Sequence, residues 1–495
     1  MVFTLRLPEK ESTLLLILAL VYLLSRLPPM VLMPLVQDEA VYSMMIGEQA
    51  SHFTMIPTWF GYPMSWKPAP FFWAYAVFYK LLSGLPLEVI FRFPSFLFGL
   101  LTVPVLFHLL RNLGASRNLA FFSVLIFLLS YPSVYPNATL LTDSLLFLLM
   151  SSSLYLYTDK RFGDFRFAGA AALVFAAFFI KLFIAFMVPL LAVAYFYQAD
   201  RKTLRRPVFL LSLLAVPLAF ILQTWILQSS GLAEEAYLSD VGGHLVSKAG
   251  LLGQLQQLVG SLNVFVSSCG IWFALSLFGV WKHWKENKFM TFWYALLILP
   301  VLTGFFMPWY YLPVMPAVAY FTATALLVWN GKEKPDAFFT IFFSLALFFT
   351  VVLTIGLYLD VYGDFVSQKE AGLLLAGKEN VAIIGTYAPG ILAYKITTEK
   401  RENLDIDVGW VLIHPAMLSA NSTELVDDFV LDYRSEKHST IDGSFSKIFM
   451  EEAIFRKDTN ITQFDYFVLV GSNTTALQNA TVLYNQSSIV IYKVR

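Results

Sequence analysis

The chain has 495 residues, of which 58% are hydrophobic and only 14% are charged, and its mean hydropathy is +0.65. Ordinary globular chains carry about 25% charged residues, so this composition predicts a polytopic membrane protein rather than a string of soluble domains. The net charge of zero gives no electrostatic basis for binding nucleic acid. A single cysteine, Cys269, excludes an intrachain disulfide, a thiolate zinc site and an iron–sulfur cluster.

Apolar runs long enough to cross a bilayer recur from the N-terminus to about residue 360. We predict about eleven spans, of which the fifth and sixth are short enough to form one re-entrant pair. They lie near residues 12–33, 94–110, 119–136, 141–157, 167–180, 182–197, 208–228, 263–281, 289–306, 312–330 and 337–358.

Lysine and arginine are concentrated in alternate connections, which sets the expected orientation. The basic connections hold Arg111 and Arg117, Lys160–Arg166, Arg201–Arg206, Lys282–Lys288 and Lys332–Lys334. We expect these connections and the N-terminus on the cytoplasmic side. The first loop (about 34–93) and the C-terminal region are then extracytoplasmic, whether in a plasma membrane, an archaeal-type membrane or the endoplasmic reticulum.

Asn-x-Ser/Thr triplets agree with this orientation, because they mark candidate glycosylation sites on exported surfaces. They begin at Asn137, Asn421, Asn460, Asn473, Asn479 and Asn485. The asparagines of the predicted cytoplasmic connections lie in none. A tail that is merely rich in serine and threonine is the alternative explanation.

The sequence predicts a change of character near residue 360. Residues 1–360 read as a transmembrane module, and residues 361–495 read as a small extracytoplasmic α/β domain. We expect strands at about 380–385, 405–413, 465–470 and 481–493, with a helix through Tyr394. The predicted fold class is therefore mainly α, a polytopic bundle followed by a small α/β domain.

Two adjacent acids, Asp38 and Glu39, follow the first span. They open a predicted short amphipathic helix in which Tyr42, Met45 and Ile46 are available to pack on the membrane surface. Carboxylates at the edge of an apolar bundle are costly and often functional. The alternative is that they only complement the positive end of the helix dipole.

Several charged residues accompany this acid pair on the same predicted face. Lys67 is followed by Pro68 and Pro70, Lys181 interrupts an apolar run, and Asp143 begins the fourth span. Arg92, just before the second span, is either a phosphate ligand or a headgroup anchor. Snorkelling to the interface is the alternative for Lys67, and helix capping is the alternative for Asp143.

This combination of acids and cations suits transfer of a group from a lipid phosphate. Such a reaction needs a base for the acceptor proton and cations for the departing phosphate. A transporter or lipid flippase is the main alternative, because charges within a membrane also mark transport paths. Transporters, however, usually have two related halves with midplane sites. A non-catalytic scaffold would leave the charged set unexplained.

The motifs together resemble the GT-C membrane glycosyltransferases of the protein O-mannosyltransferase and aminoarabinose transferase group. Asp38, Glu39 and Tyr42 match its DE-x-x-Y motif, and Lys67-Pro68 matches its KPP motif. Arg92-Phe93-Pro94-Ser95 matches R-x-P-S, and Tyr310-Tyr311-Leu312-Pro313 with Pro316 resembles a late Y-l-l-P-x-x-P segment. The likeness extends over about residues 10–330 and is strongest over 30–185.

The resemblance implies transfer of a sugar, such as the hexose mannose, from a polyprenyl or dolichyl phosphate to a protein or lipid acceptor outside the cytoplasm, with inversion. It implies that Asp38 activates the acceptor, and that Glu39 and Asp143 support it or bind sugar. No cofactor is certain, although a divalent metal on Asp38, Glu39 or Asp143 is left open. Donor phosphate is assigned to Lys67, Lys181 and Arg92, and substrate positioning to Tyr42, Tyr310 and Tyr311.

Two departures from the group's pattern affect these assignments. The KPP motif is here Lys67-Pro68-Ala69-Pro70, which shifts the loop. The basic residue that often precedes the late tyrosines is absent, because Met307, Pro308 and Trp309 stand there. One phosphate contact of the group therefore has no counterpart at this position.

Overall fold

The structure is a computed structural model, and it forms two compact units. It describes residues 8–59, 62–64, 67–232, 250–297, 307–329, 344, 348, 365–378, 381–385, 391, 393–394, 410–413, 465–470, 480–486 and 489–493. The first unit contains Met1–Leu32, Lys67–Phe71 and Arg92–Leu357, and the second contains Met33–Trp66, Phe72–Phe91 and Tyr358–Arg495. The chain thus changes unit near the predicted boundary at 360, but most of the first loop is grouped with the C-terminal residues.

Helices dominate the described chain. In order they are α1 (Glu11–Leu32), α2 (Gln37–Ser51), α3 (Ala69–Leu81), α4 (Leu87–Asn112), α5 (Arg117–Leu129), α6 (Tyr131–Ala138), α7 (Thr142–Thr158), α8 (Phe165–Phe178), α9 (Met187–Ala199), α10 (Pro207–Leu213), α11 (Ala215–Ser229), α12 (Gly250–Cys269), α13 (Ile271–His283), α14 (Lys288–Ala295) and α15 (Met315–Trp329). Short 3₁₀ turns cover Lys160–Phe162, Leu182–Phe186, Thr203–Arg205 and Pro308–Val314. Residues 365–375 are also helical.

Helix α5 of the first unit is apolar on every face. In α5, which begins with the hydroxyl of Ser116 accepting from the Leu119 amide, every residue from Ala120 to Leu129 is buried. A helix that is apolar all round belongs inside a bundle or a membrane. The predicted mainly α bundle with a small α/β domain is confirmed.

Four described helical stretches are long and apolar enough to cross a membrane, and two bent helix pairs raise this number to six. The four are Glu11–Leu32, Leu87–Asn112, Pro207–Ser229 and Pro308–Leu327. Much of the last predicted span, 337–358, lies outside the described residues. The predicted total of about eleven spans therefore stays a prediction.

Two predicted spans are bent rather than straight. The predicted span at 119–136 is the pair α5 and α6, which meet at 63°. The predicted span at 263–281 is wrong as one helix, because α12 and α13 meet at 98°. The cause of this second bend is Gly270, whose φ of 54° lies in the left-handed region that glycine tolerates.

The predicted amphipathic surface helix at Asp38 is also corrected. Tyr42, Met45 and Ile46 of α2 are all buried within the second unit rather than available to a membrane surface. The ring of Tyr42 makes an edge-to-face contact with Phe72, with centroids 5.8 Å apart. Packing by neighbouring segments of the second unit has replaced the lipid that the sequence pattern allowed.

The second unit also contains the strands. β1 (Thr58–Trp59) and β2 (Tyr62–Pro63) form an antiparallel hairpin. A five-stranded sheet has the order β4 (Trp410–Ile413), β3 (Val381–Gly385), β5 (Tyr466–Val470), β7 (Ile489–Lys493), β6 (Thr481–Gln486). β3 is parallel to β4 and β5, while β7 is antiparallel to β5 and β6. The predicted α/β sheet is confirmed, but the single strand expected at 481–493 is an antiparallel pair.

Close backbone packing joins α13 to α15 in the first unit. A Cβ atom on Gly279 would lie 2.1 Å from the carbonyl oxygen of Phe321. The hydroxyl of Thr322 donates to the carbonyl of Trp272 at 2.9 Å. Because the atom facing Gly279 belongs to backbone, the two helices can keep this approach only with glycine at that position.

We therefore expect Gly279→Ala to lower the free energy of unfolding by about 1–3 kcal/mol, the usual range for overpacking. The control is Gly47→Ala in α2, where a Cβ would meet no atom within 4 Å. That change should be neutral or stabilising by about 0.5–1 kcal/mol, because alanine suits a helix interior better than glycine. Thermal and denaturant unfolding in detergent measure both, and equal stability of the two variants would contradict the packing argument.

Candidate active site

A buried ion pair marks the candidate site in the first unit. Nζ of Lys181 donates to both carboxylate oxygens of Asp143, at 2.8 and 3.0 Å. The side chains are 11% and 2% exposed. Taking two charges out of water is expensive, and the cost is offset only by close, well-directed contacts such as these.

Local structure explains why these two side chains meet. Asp143 lies in the first turn of α7, where the helix dipole favours a carboxylate. Lys181 follows the end of α8 and precedes the 3₁₀ turn Leu182–Phe186, with φ −155° and ψ 79°. The break between two apolar helices therefore presents the ammonium group, while the start of a third helix presents the carboxylate.

An aromatic ring completes this cluster. The ammonium of Lys181 lies 3.9 Å from the ring centroid of Tyr310, within the range of a cation–π contact. Tyr310 belongs to the 3₁₀ turn Pro308–Val314. Asp143, Lys181 and Tyr310 were each predicted from the sequence, and the structure brings the three side chains together.

Helix capping, the alternative given for Asp143, does not describe this residue. The N-cap of α7 is Leu141, and it has no side-chain cap, so Asp143 is not the capping residue. Lys181 does not extend to a surface, because its ammonium ends on Asp143. A lysine has three donor hydrogens, and the ring and the carboxylate fix where they can point.

The two adjacent acids of the second unit, Asp38 and Glu39, differ in their exposure to solvent. Asp38 is exposed. Glu39 is only 1% exposed, and its Oε2 accepts a hydrogen bond from the Val36 amide at 2.9 Å, as in a capping box. The capping alternative thus describes Glu39, and Asp38 is the acid presented to solvent.

The remaining predicted tyrosines have core environments. Tyr311 is fully buried, and its hydroxyl donates to the carbonyl of Ser261 at 2.6 Å. Tyr42 is buried against Phe72. Of the three tyrosines assigned to substrate positioning, Tyr310 alone contacts the charged cluster among the described contacts.

The other two predicted cations differ in environment. Lys67 is half-buried and immediately precedes Pro68 and α3. Arg92 is fully buried, and its guanidinium donates to the carbonyls of Pro29 and Met30 at 3.3 and 3.4 Å. These carbonyls end α1, so Arg92 satisfies a helix C-terminus. Its burial contradicts the headgroup-anchor reading.

Sequence analysis missed a buried arginine in the first predicted span. Arg26 is fully buried, donates to the hydroxyls of Ser25 and Ser133, and stands 4.8 Å from the ring centroid of Tyr22. An ionisable residue within a span is a functional candidate by default. The signal that could have identified Arg26 is its charge within a long apolar run. A hydropathy average over that run hides a single charge.

Two of the six candidate glycosylation sites lie within the described residues. Asn137 is buried, and its amide donates to the carbonyl of Ser133, so it is not accessible for modification in the folded protein. Asn485 is exposed on β6. Asn421, Asn460, Asn473 and Asn479 lie outside the described residues.

Asp143 and Glu39, two of the side chains suggested for a metal, accept hydrogen bonds from protein donors in the structure. Within the described ranges, no group of three or more His, Cys, Asp or Glu side chains could hold an ion. Asp143 places both oxygens on Lys181, and Glu39 places one on the Val36 amide. A divalent cation would have to displace these donors, so no chemical step is assigned to a metal.

Comparison with protein families gives one match. The family described as dolichyl-phosphate-mannose-protein mannosyltransferase matches residues 67–226, which is less than half of the chain. These residues include Lys67, Asp143 and Lys181. Comparison with curated proteins gives no match.

Solved structures resemble the chain over nearly its whole length. ArnT from Cupriavidus metallidurans bound to undecaprenyl phosphate has a TM-score of 0.61 at 14% identity, covering 98% of each chain. The same protein in its apo state has a TM-score of 0.59. The archaeal oligosaccharyltransferase AglB from Archaeoglobus fulgidus, in complex with an inhibitory peptide and a dolichol-phosphate, has a TM-score of 0.53 at 12% identity, covering 92% of this chain and 69% of that one.

At such low identity these similarities establish the fold. The chain has the GT-C fold, and the resemblance predicted from its motifs is confirmed at that level. The charged cluster of Asp143 and Lys181 lies in a part of the chain that both the family match and the structural matches include.

The Asp143–Lys181 pair predicts a distinctive stability pattern. Lys181→Met leaves a buried carboxylate unpaired and should lower the free energy of unfolding by about 3–5 kcal/mol. The double variant with Asp143→Asn should recover most of that loss, because no uncompensated charge remains. Thermal unfolding in detergent measures the cycle.

The matched control for that measurement is Arg206→Met. Arg206 forms an ion pair with Asp164 at 2.6 Å, but both side chains are nearly half exposed. Its loss should cost at most about 1 kcal/mol. Equal losses for Lys181→Met and Arg206→Met would show that burial does not strengthen the Asp143–Lys181 pair.

Proposed function

We propose that this protein is an integral-membrane glycosyltransferase that moves a sugar from a polyprenyl-phosphate donor to a protein or lipid acceptor. The observation that carries the proposal is the buried ion pair of Asp143 and Lys181, with Tyr310 against its cation, within a GT-C fold. The extracytoplasmic location of the reaction follows from the predicted orientation and is part of the proposal.

The cluster supports a role for Lys181 at the donor phosphate. When the bond between the sugar's anomeric carbon and the phosphate oxygen breaks, its electron pair stays on that oxygen, and the phosphate gains negative charge. A cation held in place before the reaction stabilises this charge without reorganising during it. Asp143 and Tyr310 hold the ammonium in place in that way.

Lys67 is the second cation assigned to the donor. Pro68 and Pro70 restrict the backbone on its C-terminal side, which reduces the freedom of the segment that carries the ammonium. Its half-buried side chain leaves part of its surface for a ligand. Arg92 is not assigned to the phosphate, because its guanidinium contacts the carbonyls that end α1.

Asp38 is assigned as the base, from the motif resemblance and from its exposure. Its carboxylate would take the proton from the acceptor as the acceptor's heteroatom forms a bond to the anomeric carbon. The same displacement expels the polyprenyl phosphate, so atoms and charge balance without a covalent sugar–enzyme intermediate. One displacement at the anomeric carbon inverts its configuration. Glu39 supports Asp38 indirectly, by capping the helix on which Asp38 lies.

The finer identity of donor and acceptor follows from resemblance. A hexose such as mannose is supported by the description of the family that matches residues 67–226. Polyprenyl carriers are supported by the undecaprenyl phosphate and dolichol-phosphate bound in the two similar proteins. A peptide acceptor is supported by a similar structure, the Archaeoglobus fulgidus oligosaccharyltransferase tethered with an acceptor peptide.

We expect Asp38→Asn to abolish transfer while leaving the fold unchanged. A positioned base typically contributes about 10²–10⁴-fold, so kcat should fall by that factor. The assay uses purified protein, radiolabelled polyprenyl-phosphate mannose and an acceptor pool of peptides and membrane lipids. The control, Asp164→Asn, changes an exposed acid in the same way and should be fully active. Wild-type rates in Asp38→Asn would refute the base assignment.

We also expect Lys67→Ala to weaken donor binding more than it changes kcat. Hydrogen bonds to charged groups contribute about 1.5–3 kcal/mol, which corresponds to a rise in the donor KM of about 10- to 150-fold. Lys202→Ala, at an exposed lysine, is the matched control. An unchanged donor KM in Lys67→Ala would remove this residue from the phosphate site.

A further inference from the structure

A chain of buried polar contacts joins the C-terminal residues to the segment that carries Asp38, all within the second unit. The hydroxyl of Tyr394 donates to Oε1 of Glu88 at 2.8 Å. The same hydroxyl accepts a hydrogen bond from the Leu35 amide at 2.8 Å. Nζ of Lys369 donates to Oε1 of Glu88 at 2.5 Å, and it stands 5.5 Å from the ring centroid of Tyr394. We refer to Leu35, Glu88, Lys369 and Tyr394 as the tyrosine network.

The environment of this network makes it rigid. Leu35 and Tyr394 are buried, and the Glu88 side chain is only 6% exposed. The Tyr394 hydroxyl donates its hydrogen to Glu88 and accepts the Leu35 N–H on a lone pair. Both hydrogen bonds are directional, so a rotation of either partner would break a buried hydrogen bond. Buried networks with satisfied members specify one arrangement, because a broken bond there is not replaced by water.

The network acts on the start of α2. The Leu35 amide is held by Tyr394, and the next amide, of Val36, is held by the carboxylate of Glu39. Val36 is the N-cap of α2, and Asp38 is in its first turn. Two consecutive amides ahead of the helix are therefore fixed by side chains, and one of these side chains comes from a C-terminal segment more than three hundred residues away in sequence.

We propose that Tyr394, held by Glu88 and Lys369, is a positioning residue that fixes the backbone from which Asp38 acts. This inference rests on the proposed function of Asp38. It assigns the C-terminal residues a part in catalysis that acts through the backbone before α2, to which the Tyr394 hydroxyl is bonded. The C-terminal region, predicted to be extracytoplasmic, then also serves to position Asp38.

The positioning role predicts a particular kinetic signature. Tyr394→Phe removes the acceptor of the Leu35 amide while keeping the ring and its packing. Because misplacing a catalytic group by about 1 Å can cost about 100-fold in rate, we expect kcat to fall by about 10- to 100-fold. The donor KM should stay within about two-fold, since an interaction needed only in the transition state lowers kcat alone.

The matched control is Tyr484→Phe. Tyr484 is also a hydrogen-bonded tyrosine of the second unit, donating to Glu370 at 2.9 Å and contacting the Ser367 carbonyl at 3.4 Å. Neither partner belongs to the tyrosine network. We expect Tyr484→Phe to keep the kcat of the wild-type protein, and a matching fall in both variants would overturn the proposal by showing a general loss of structure.

Hydrogen exchange on the full-length protein tests the inference without any activity. In Tyr394→Phe, peptides covering residues 33–40 should exchange faster, while peptides covering Val381–Gly385 in β3 should not change. A merely structural loss would accelerate both. Unchanged exchange at 33–40, together with the wild-type kcat, would overturn the proposal.

A second variant keeps the test decisive if Tyr394→Phe fails to fold. Lys369→Met removes the partly exposed cation and its hydrogen bond to Glu88, but it retains the Tyr394 hydroxyl. Glu88 is then held less firmly against Tyr394. Faster exchange at residues 33–40 with a lower kcat supports the proposal, and unchanged exchange overturns it. A wild-type protein that transfers no sugar would instead refute the proposed function, while the exchange comparison would still report on the network.

Discussion

The need to neutralise charge inside an apolar helical bundle is the constraint on which the first unit depends. Lys181 is tolerated there because Asp143 takes two of its hydrogen bonds and Tyr310 offers it a ring face. The same requirement explains Arg92, whose guanidinium donates to the carbonyls that end α1. A cation fixed in this way is the basis of the role proposed for Lys181 at an anionic ligand.

In the second unit the corresponding constraint falls on backbone amides. The amides before α2 cannot bond within the helix, because the first turn of a helix has no carbonyl partners. Glu39 and Tyr394 accept from two of them, and Glu88 and Lys369 hold Tyr394 in turn. Two adjacent acids therefore have different environments, because Glu39 is buried as a cap and Asp38 is exposed.

The sequence predicted much of the candidate site, but it could not assign roles within it. Asp143 and Lys181 were recognisable because charged residues in apolar runs are costly. Tyr310 and Tyr311 look equivalent in sequence, yet the ring of Tyr310 lies against the Lys181 ammonium, whereas the hydroxyl of Tyr311 donates to the Ser261 carbonyl. Which of two neighbouring side chains faces a cation depends on a 3₁₀ turn, and turn geometry is not encoded in hydropathy. Arg26 was overlooked for a related reason, because a hydropathy window averages out one charge.

Composition and hydropathy by themselves determined that this is a helical membrane protein with a small α/β domain, because apolar runs and alternating strands are local properties. The motifs determined its resemblance to the GT-C group. Tertiary structure alone decided the bend at Gly270, the burial of α2 and the pairing of Asp143 with Lys181. It also decided that Tyr394 bonds to Leu35. These features depend on contacts between distant segments, for which one sequence carries no periodic signal.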